Sequence, residues 1–179
     1  MKNTVKHALH KACGKDERRP AFGYIWFHNG FAYATDAHVA VTIPTHEIFT
    51  NDQDACKLLD GKLIHRDIWR TMVFGKRCLL TTDGTVKFAL NSKQLPSYDV
   101  PFSPKGEMKM PNIDSVWPLK KDANRLHRIG VNAMCLLRAT QAINVKAPEL
   151  TFFYENKAIL VTHHSTDGEA IVMPVMINH

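Results

Sequence analysis

Apolar residues in the stretch 3–14 fall at Val5, Ala8, Leu9, Ala12 and Cys13. That i, i+3, i+4, i+7, i+8 spacing is the stripe of an amphipathic helix. Asn3 or Thr4 can cap it and Gly14 can end it. The pattern then changes, and strands are predicted at 21–28, 30–35 and 38–44. Asn29-Gly30 joins the first two as a hairpin turn, because Gly30 supplies positive φ. Thr35-Asp36-Ala37-His38 is a polar interruption whose Thr-Asp pair can bond its own backbone and form a bend. Pro44 stops the third strand, and 45–57 is mostly polar and predicts a loop.

A second helix is predicted over 64–73, burying Ile64, Ile68, Met72 and Trp69. Lys62, Arg66 and Arg70 would form one basic row along it. Residues 78–82 and 86–90 predict a hairpin about Asp83-Gly84. The stretch 91–107 is loop-rich, with an edge strand at 98–100, and 110–118 is held extended by its prolines. A basic, polar connector follows at 119–128. A third helix over 132–143 takes Asn132 as its cap. Its predicted inward face is Leu136, Leu137, Thr140 and Ile143, with Arg138 and Gln141 outside. Strands at 150–154, 158–162 and 169–177 complete the chain, with a turn at 155–157. A helix followed by antiparallel strands thus recurs about three times, starting near 3, 64 and 132. The fold class is α+β.

The chain of 179 residues is long enough for one large domain or two small ones. Its net charge of +6 favours a polyanionic partner without identifying one. Cys13, Cys56, Cys78 and Cys135 form no CxxC pair and predict reduced, buried thiols. The first residues are not those of a signal peptide, and no apolar run approaches the roughly 18 residues of a membrane span. The expected location is the cytoplasm.

Four segments carry a resemblance. They are Asp16-Glu17-Arg18-Arg19-Pro20, the stretch from Ala34 to Val41, the stretch from Met110 to Pro118, and the C-terminal run Ile171-Val172-Met173-Pro174-Val175 with its neighbours. In this order they resemble the bacterial sliding clamp, the β subunit of DNA polymerase III, with its "RP" lead-in, "ATDGHRLA", "FPdY-x-x-viP" and "vvMPmrl" patterns. The resemblance implies a DNA-clamp fold, with helices on one face of curved antiparallel sheets. Residues 1–118 correspond to the clamp's middle domain, and 119–179 contain the second half of its last domain. That is about one and a half clamp domains.

The resemblance also implies a pocket for short linear peptides of polymerases and other partners. Carried over by position, it consists of Thr35, Asp36, Ala37, His38, Ala40, Pro111, Val116, Ile171, Met173, Pro174 and Val175. The family's Gly is Ala37 here, its Arg is Val39 and its near-terminal Arg is Met176, which makes the pocket more apolar. Met adapts its shape to varied anchors. Nonspecific contacts to double-stranded DNA phosphates fall to Lys6, Lys11, Arg66, Arg70 and Arg138. Trp26, Phe27 and Phe31 are assigned to the core rather than to base stacking.

No Walker loop, GxGxxG or HExxH is present. Asp36 and His38 have no Ser or Cys nucleophile beside them in sequence. His163-His164 with Asp167 resembles a metal cluster, but adjacent strand residues point to opposite faces. The expectation is a non-enzymatic replication accessory protein without a cofactor, catalytic residue or metal, and with homo-oligomers open to it. Two other readings stand beside it: a decoy or regulator competing with a host clamp, and a small metal-dependent enzyme.

Overall fold

The computed structural model describes residues 5–48, 56–57, 59–74, 78–80, 85–88, 98–101, 103–104, 108–113, 115, 117, 129–153 and 158–175. The predicted turns at 83–84 and 155–157 and the connector 119–128 lie outside them. The first three strands follow the period-2 pattern: β1 (Tyr24–His28), β2 (Phe31–Thr35) and β3 (Val39–Pro44). Asn29 and Gly30 both take positive φ, 51° and 78°, as a two-residue hairpin turn with right-handed strand twist requires. A short helix, α1 (Thr45–Ile48), follows Pro44 where a loop was expected. The Thr45 hydroxyl and amide both donate to the Gly30 carbonyl, which folds the chain back over the hairpin.

The chain continues through β4 (Lys62–His65), α2 (Arg66–Phe74), β5 (Cys78–Leu80), β6 (Thr85–Phe88), β7 (Tyr98–Pro101) and β8 (Ser103–Pro104). It ends with α3 (Ala133–Ala142), β9 (Glu149–Thr151), β10 (Ile159–His163) and β11 (Thr166–Val172). Eight strands form one sheet in the order β8-β4-β1-β2-β3-β11-β10-β9, and β5-β6-β7 form a smaller one. The β3–β11 pairing is antiparallel, with Thr42 opposite Glu169 and Val39 opposite Val172. It joins the parts on either side of residues 118/119 into one sheet. The main core crosses the same junction, from Leu9, Ile25 and Trp69 to Ala139, Val161 and Ala170. Trp26 and Phe27 are buried, whereas Phe31 is 38% exposed and leans on Tyr33.

Three expectations are corrected. The helix over 3–14 is absent from its described part, where only a 3-10 turn at Leu9–Lys11 forms. Val5, Leu9, Ala12 and Cys13 are still buried, so the stripe was read correctly but not the backbone. In an α-helix the His7 carbonyl would accept from the Lys11 amide. Here it accepts from the Trp69 indole at 2.9 Å, while the Lys11 amide turns to Ala8.

The basic row on the second helix does not exist, because that helix starts at Arg66 and Lys62 lies in β4. The inward face of α3 is also shifted, since Ile143 and Leu136 pack on the core as expected but Leu137 does not. Cys135, Ala139, Ala142 and Ile143 are buried, and Leu137 is 46% exposed. The small residues let α3 approach β3 and β11, which larger leucines would hold off. The Asn132 side chain accepts from the amides of Met134 and Cys135, as expected of the cap.

Cys13, Cys56 and Cys135 are buried and form no disulfide among the described residues, and burial pushes the Cys13 thiol up to about 12. No helix of the described residues is long and apolar enough to cross a membrane.

Two histidines in the N-terminal turn are buried. Burial lowers the pKa of His7, and it takes His10 down to about 4, helped by Lys11, Arg66 and Arg70. Between that value and the ordinary 6.5 the unfolded chain binds the proton and the folded chain does not. Stability is therefore complete above pH 6.5 and is lost as pH falls towards 4. Urea denaturation should show a loss on the order of 2 kcal/mol across that window, much reduced in His10→Gln. A wild-type profile that is flat or rises on acidification would contradict this.

Candidate functional site

The bend between β2 and β3 is built from its own side chains. The Thr35 hydroxyl donates to the Val39 carbonyl at 2.8 Å and accepts from the Ala37 amide. Asp36 Oδ1 accepts from the amides of His38 and Val39, each at 2.9 Å. The Thr-Asp pair thus replaces the backbone bonds that the two strands lose where they part. Ala37 sits at φ 75°, a left-handed conformation that strains any residue with a Cβ. Beyond β11, the Met173 amide donates to the His38 carbonyl at 2.9 Å, which ties the C-terminal segment to the bend. The Val175 amide then bridges to Gly130.

A groove of about 270 Å³ opens beside this bend. Of the eleven positions expected in a peptide pocket, Thr35, Ala37, His38, Ala40, Pro111, Ile171 and Met173 line it. Asp36, Pro174 and Val175 do not line it, and Val175 is 46% exposed. Val116 lies outside the described residues.

The sequence reading missed Phe22, Val39, Asn112 and Ile113, which also line the groove. Ile113 stands two residues after Pro111 in the extended 110–118 stretch, a signal that pointed to its place. Phe22 carried none. The floor is a small second core of Ala40, Ile113, Phe153, Leu160 and Ile171, against which Met110, Trp117 and Met173 pack. Trp117 also donates its indole N–H to Glu169 at 3.2 Å, which holds Trp117 on β11.

A wider groove of about 890 Å³ lies on the other side of the bend. Both longer helices face it, α2 with Arg66 and Arg70, α3 with Met134, Leu137, Arg138 and Gln141. Lys11, Lys15 and Arg19 add positive charge, and the carboxylates on its wall are Asp16 and Asp36. Of the five residues expected at DNA, Lys11, Arg66, Arg70 and Arg138 are therefore together, and Lys6 is not among them.

Two of these cations are already engaged. Arg66 donates to the carbonyls of Cys13 and Gly14 at 3.3 and 3.0 Å. Arg138, expected on the outside of its helix, donates to Asp36 Oδ2 at 2.6 Å and to Cys135 Sγ. Burial alone would lower its pKa, but these hydrogen bonds outweigh burial and raise it. Phe22 and His38 border both grooves, and Asp36 closes the bend between them.

His163 and His164 do not point apart as strand neighbours would. The strand ends at His163, His164 lies in the turn, and their rings stack with centroids 4.1 Å apart.

Ala37→Gly should stabilise the protein. Relief of the left-handed strain, about 1–2 kcal/mol, exceeds the roughly 0.4–1 kcal/mol of added freedom in the unfolded chain. A small rise in melting temperature is expected, and a fall would show that the bend is not strained at this residue.

No family model matches the sequence, and no curated protein matches it. Solved structures do. The DnaN sliding clamp (DNA polymerase III subunit beta) of Bartonella birtlesii, bound to griselimycin, aligns over 97% of this chain and 64% of its own, with TM-score 0.60 and 14% identity. DNA polymerase III subunit beta of Borrelia burgdorferi, in complex with a natural product, aligns over 97% and 62%, with TM-score 0.62 and 8% identity. The DNA polymerase sliding clamp of Pseudomonas aeruginosa, with ligand, gives 97%, 65%, 0.58 and 13% in the same order. This chain thus spans less than two thirds of each clamp. At such identities the likeness is one of fold. Its continuous antiparallel sheet, the helices α2 and α3 packed on it and the late strand β11 beside the Thr-Asp bend give this chain the fold of the bacterial sliding clamp, the β subunit of DNA polymerase III.

Proposed function

We propose that this protein is a non-enzymatic, clamp-like replication accessory whose apolar groove holds short linear peptides of DNA polymerases or other clamp partners. One observation carries the reading. Three segments distant in sequence, ending in Ala40, Pro111 and Met173, converge on one groove at the positions the clamp patterns pick out. At about 270 Å³ the groove falls just under the roughly 300 Å³ where drug-sized sites begin, so it suits one or two apolar anchors. Met173, Ile171 and Ile113 offer apolar surface, and Thr35 and His38 offer polar atoms that fix register.

The basic groove supports a second activity of the same protein, nonspecific binding of double-stranded DNA through Lys11, Arg70 and their neighbours. The chain's span of less than two thirds of a clamp favours a further reading. In that reading the protein keeps the peptide groove without the ring and competes with a host clamp for its partners. Sedimentation of the purified protein separates the two, because encircling DNA demands a closed oligomer.

A fluorescence-polarisation titration with a labelled peptide carrying Gln, Leu and Phe anchors tests the groove. Micromolar binding is expected, weakened by about tenfold or more in Met173→Asp, which puts a charge against apolar surface. Equal binding by the two proteins, or none up to millimolar peptide, would exclude the peptide reading. DNA binding should weaken steeply between 50 and 200 mM salt, and Arg70→Glu should reduce both affinity and salt slope. A salt-independent affinity would exclude phosphate contacts.

A further inference from the structure

We propose that His46, Glu47 and Asp167 bind one first-row divalent transition-metal ion, which fastens α1 to the start of β11. Each residue offers one donor atom, and all three atoms lie within 4.8 Å of one another. Atoms bound at about 2.1 Å to a common ion stand roughly 3–4 Å apart. His46 and Asp167 are exposed and free to turn, so small rotamer changes close the site.

The central ligand is already oriented. The Thr166 hydroxyl donates to Glu47 Oε2, and the Asp167 amide donates to Oε1 at 2.6 Å. Such bonds fix a ligating carboxylate from behind while leaving lone pairs for an ion. They join residues more than a hundred positions apart.

A second, independent feature is the charge. Two carboxylates meet here in a chain of net charge +6, with no lysine or arginine ion-paired to either among the described residues. Behind Glu47 lies His7, whose Nε2 points at Glu47 Oε2 from 3.9 Å. His7 is 5% exposed, and its Nδ1 has no hydrogen-bond partner among the described residues. A dication offsets the charge that the two carboxylates bring together.

The donor set sets the class of ion. One imidazole with two carboxylates suits Zn²⁺, Co²⁺ or Mn²⁺, whereas Ca²⁺ and Mg²⁺ favour oxygen alone and Cu⁺ favours sulfur. The site lies at one end of the β3–β11 pair, beyond Thr42 and Glu169, and the peptide groove lies at the other, near Ala40 and Ile171. The ion therefore braces the sheet junction and takes no part in ligand capture.

Chelator-treated full-length protein titrated with Zn²⁺ by calorimetry, and with Co²⁺ by visible absorption, tests the site. One equivalent is expected to bind at micromolar affinity or tighter and to raise the melting temperature. Both effects should weaken by about tenfold or more in His46→Ala and in Asp167→Asn, at exposed positions where folding is not at stake. His163→Ala, at the neighbouring stacked pair, should leave them unchanged. Binding no tighter than millimolar, binding that survives both ligand variants, or binding abolished by His163→Ala would each overturn the proposal.

Discussion

The antiparallel pairing of β3 with β11 is the contact on which the other features stand. β3 comes early in the chain and β11 late, so their ladder closes a very long loop. Loop closure of that length is unfavourable, though it grows only slowly with length. What offsets it is burial on both sides of the ladder. Val39, Val41, Ala170 and Val172 face the main core, and Ala40 and Ile171 face the smaller one. Without the junction, α3 loses the surface it packs on, and the small core under the apolar groove is cut in two.

The same junction explains why two grooves of opposite character lie side by side. Residues alternate in facing along β3, so the main core and both helices lie on one side of the sheet and the small core on the other. The Thr35–His38 bend sits where β2 and β3 separate and therefore borders both sides. Its carboxylate, Asp36, is held by Arg138 on the cationic side, which leaves the apolar side without a charge from the bend. Divergence from the clamp pattern at Ala37 and Val39 works in the same direction, towards a groove defined by shape.

Much of this was legible in the sequence where the signals were local. Alternating apolar residues, the Asn29-Gly30 turn and the Asn132 cap are short-range features, and the elements they announce are present. The apolar groove was legible because three motifs carried it together. What failed depended on distant partners. Nothing near His7 reveals that its carbonyl belongs to Trp69, and nothing near Arg138 reveals Asp36. The face of α3 was misread because two stripes compete within ten residues, one of leucines and one of small residues. Close approach to the sheet chose the smaller. The basic row failed at a boundary, since β4 takes Lys62 before the helix begins.

The strand order has a consequence for synthesis. Chains emerge from the ribosome in sequence order, and β3 is complete long before β11 exists. Through that interval β3 is the bare rim of a nascent five-strand array, rich in Val, Ala and Ile, with its amides and carbonyls unclaimed. Such a rim invites pairing with the wrong strand, including the same strand of a neighbouring nascent chain. The bend at Thr35–His38, closed by its own side chains, needs no later residue to form. It marks the register that β11 must find when it arrives, and so works as a template during assembly as well as a wall of the finished groove.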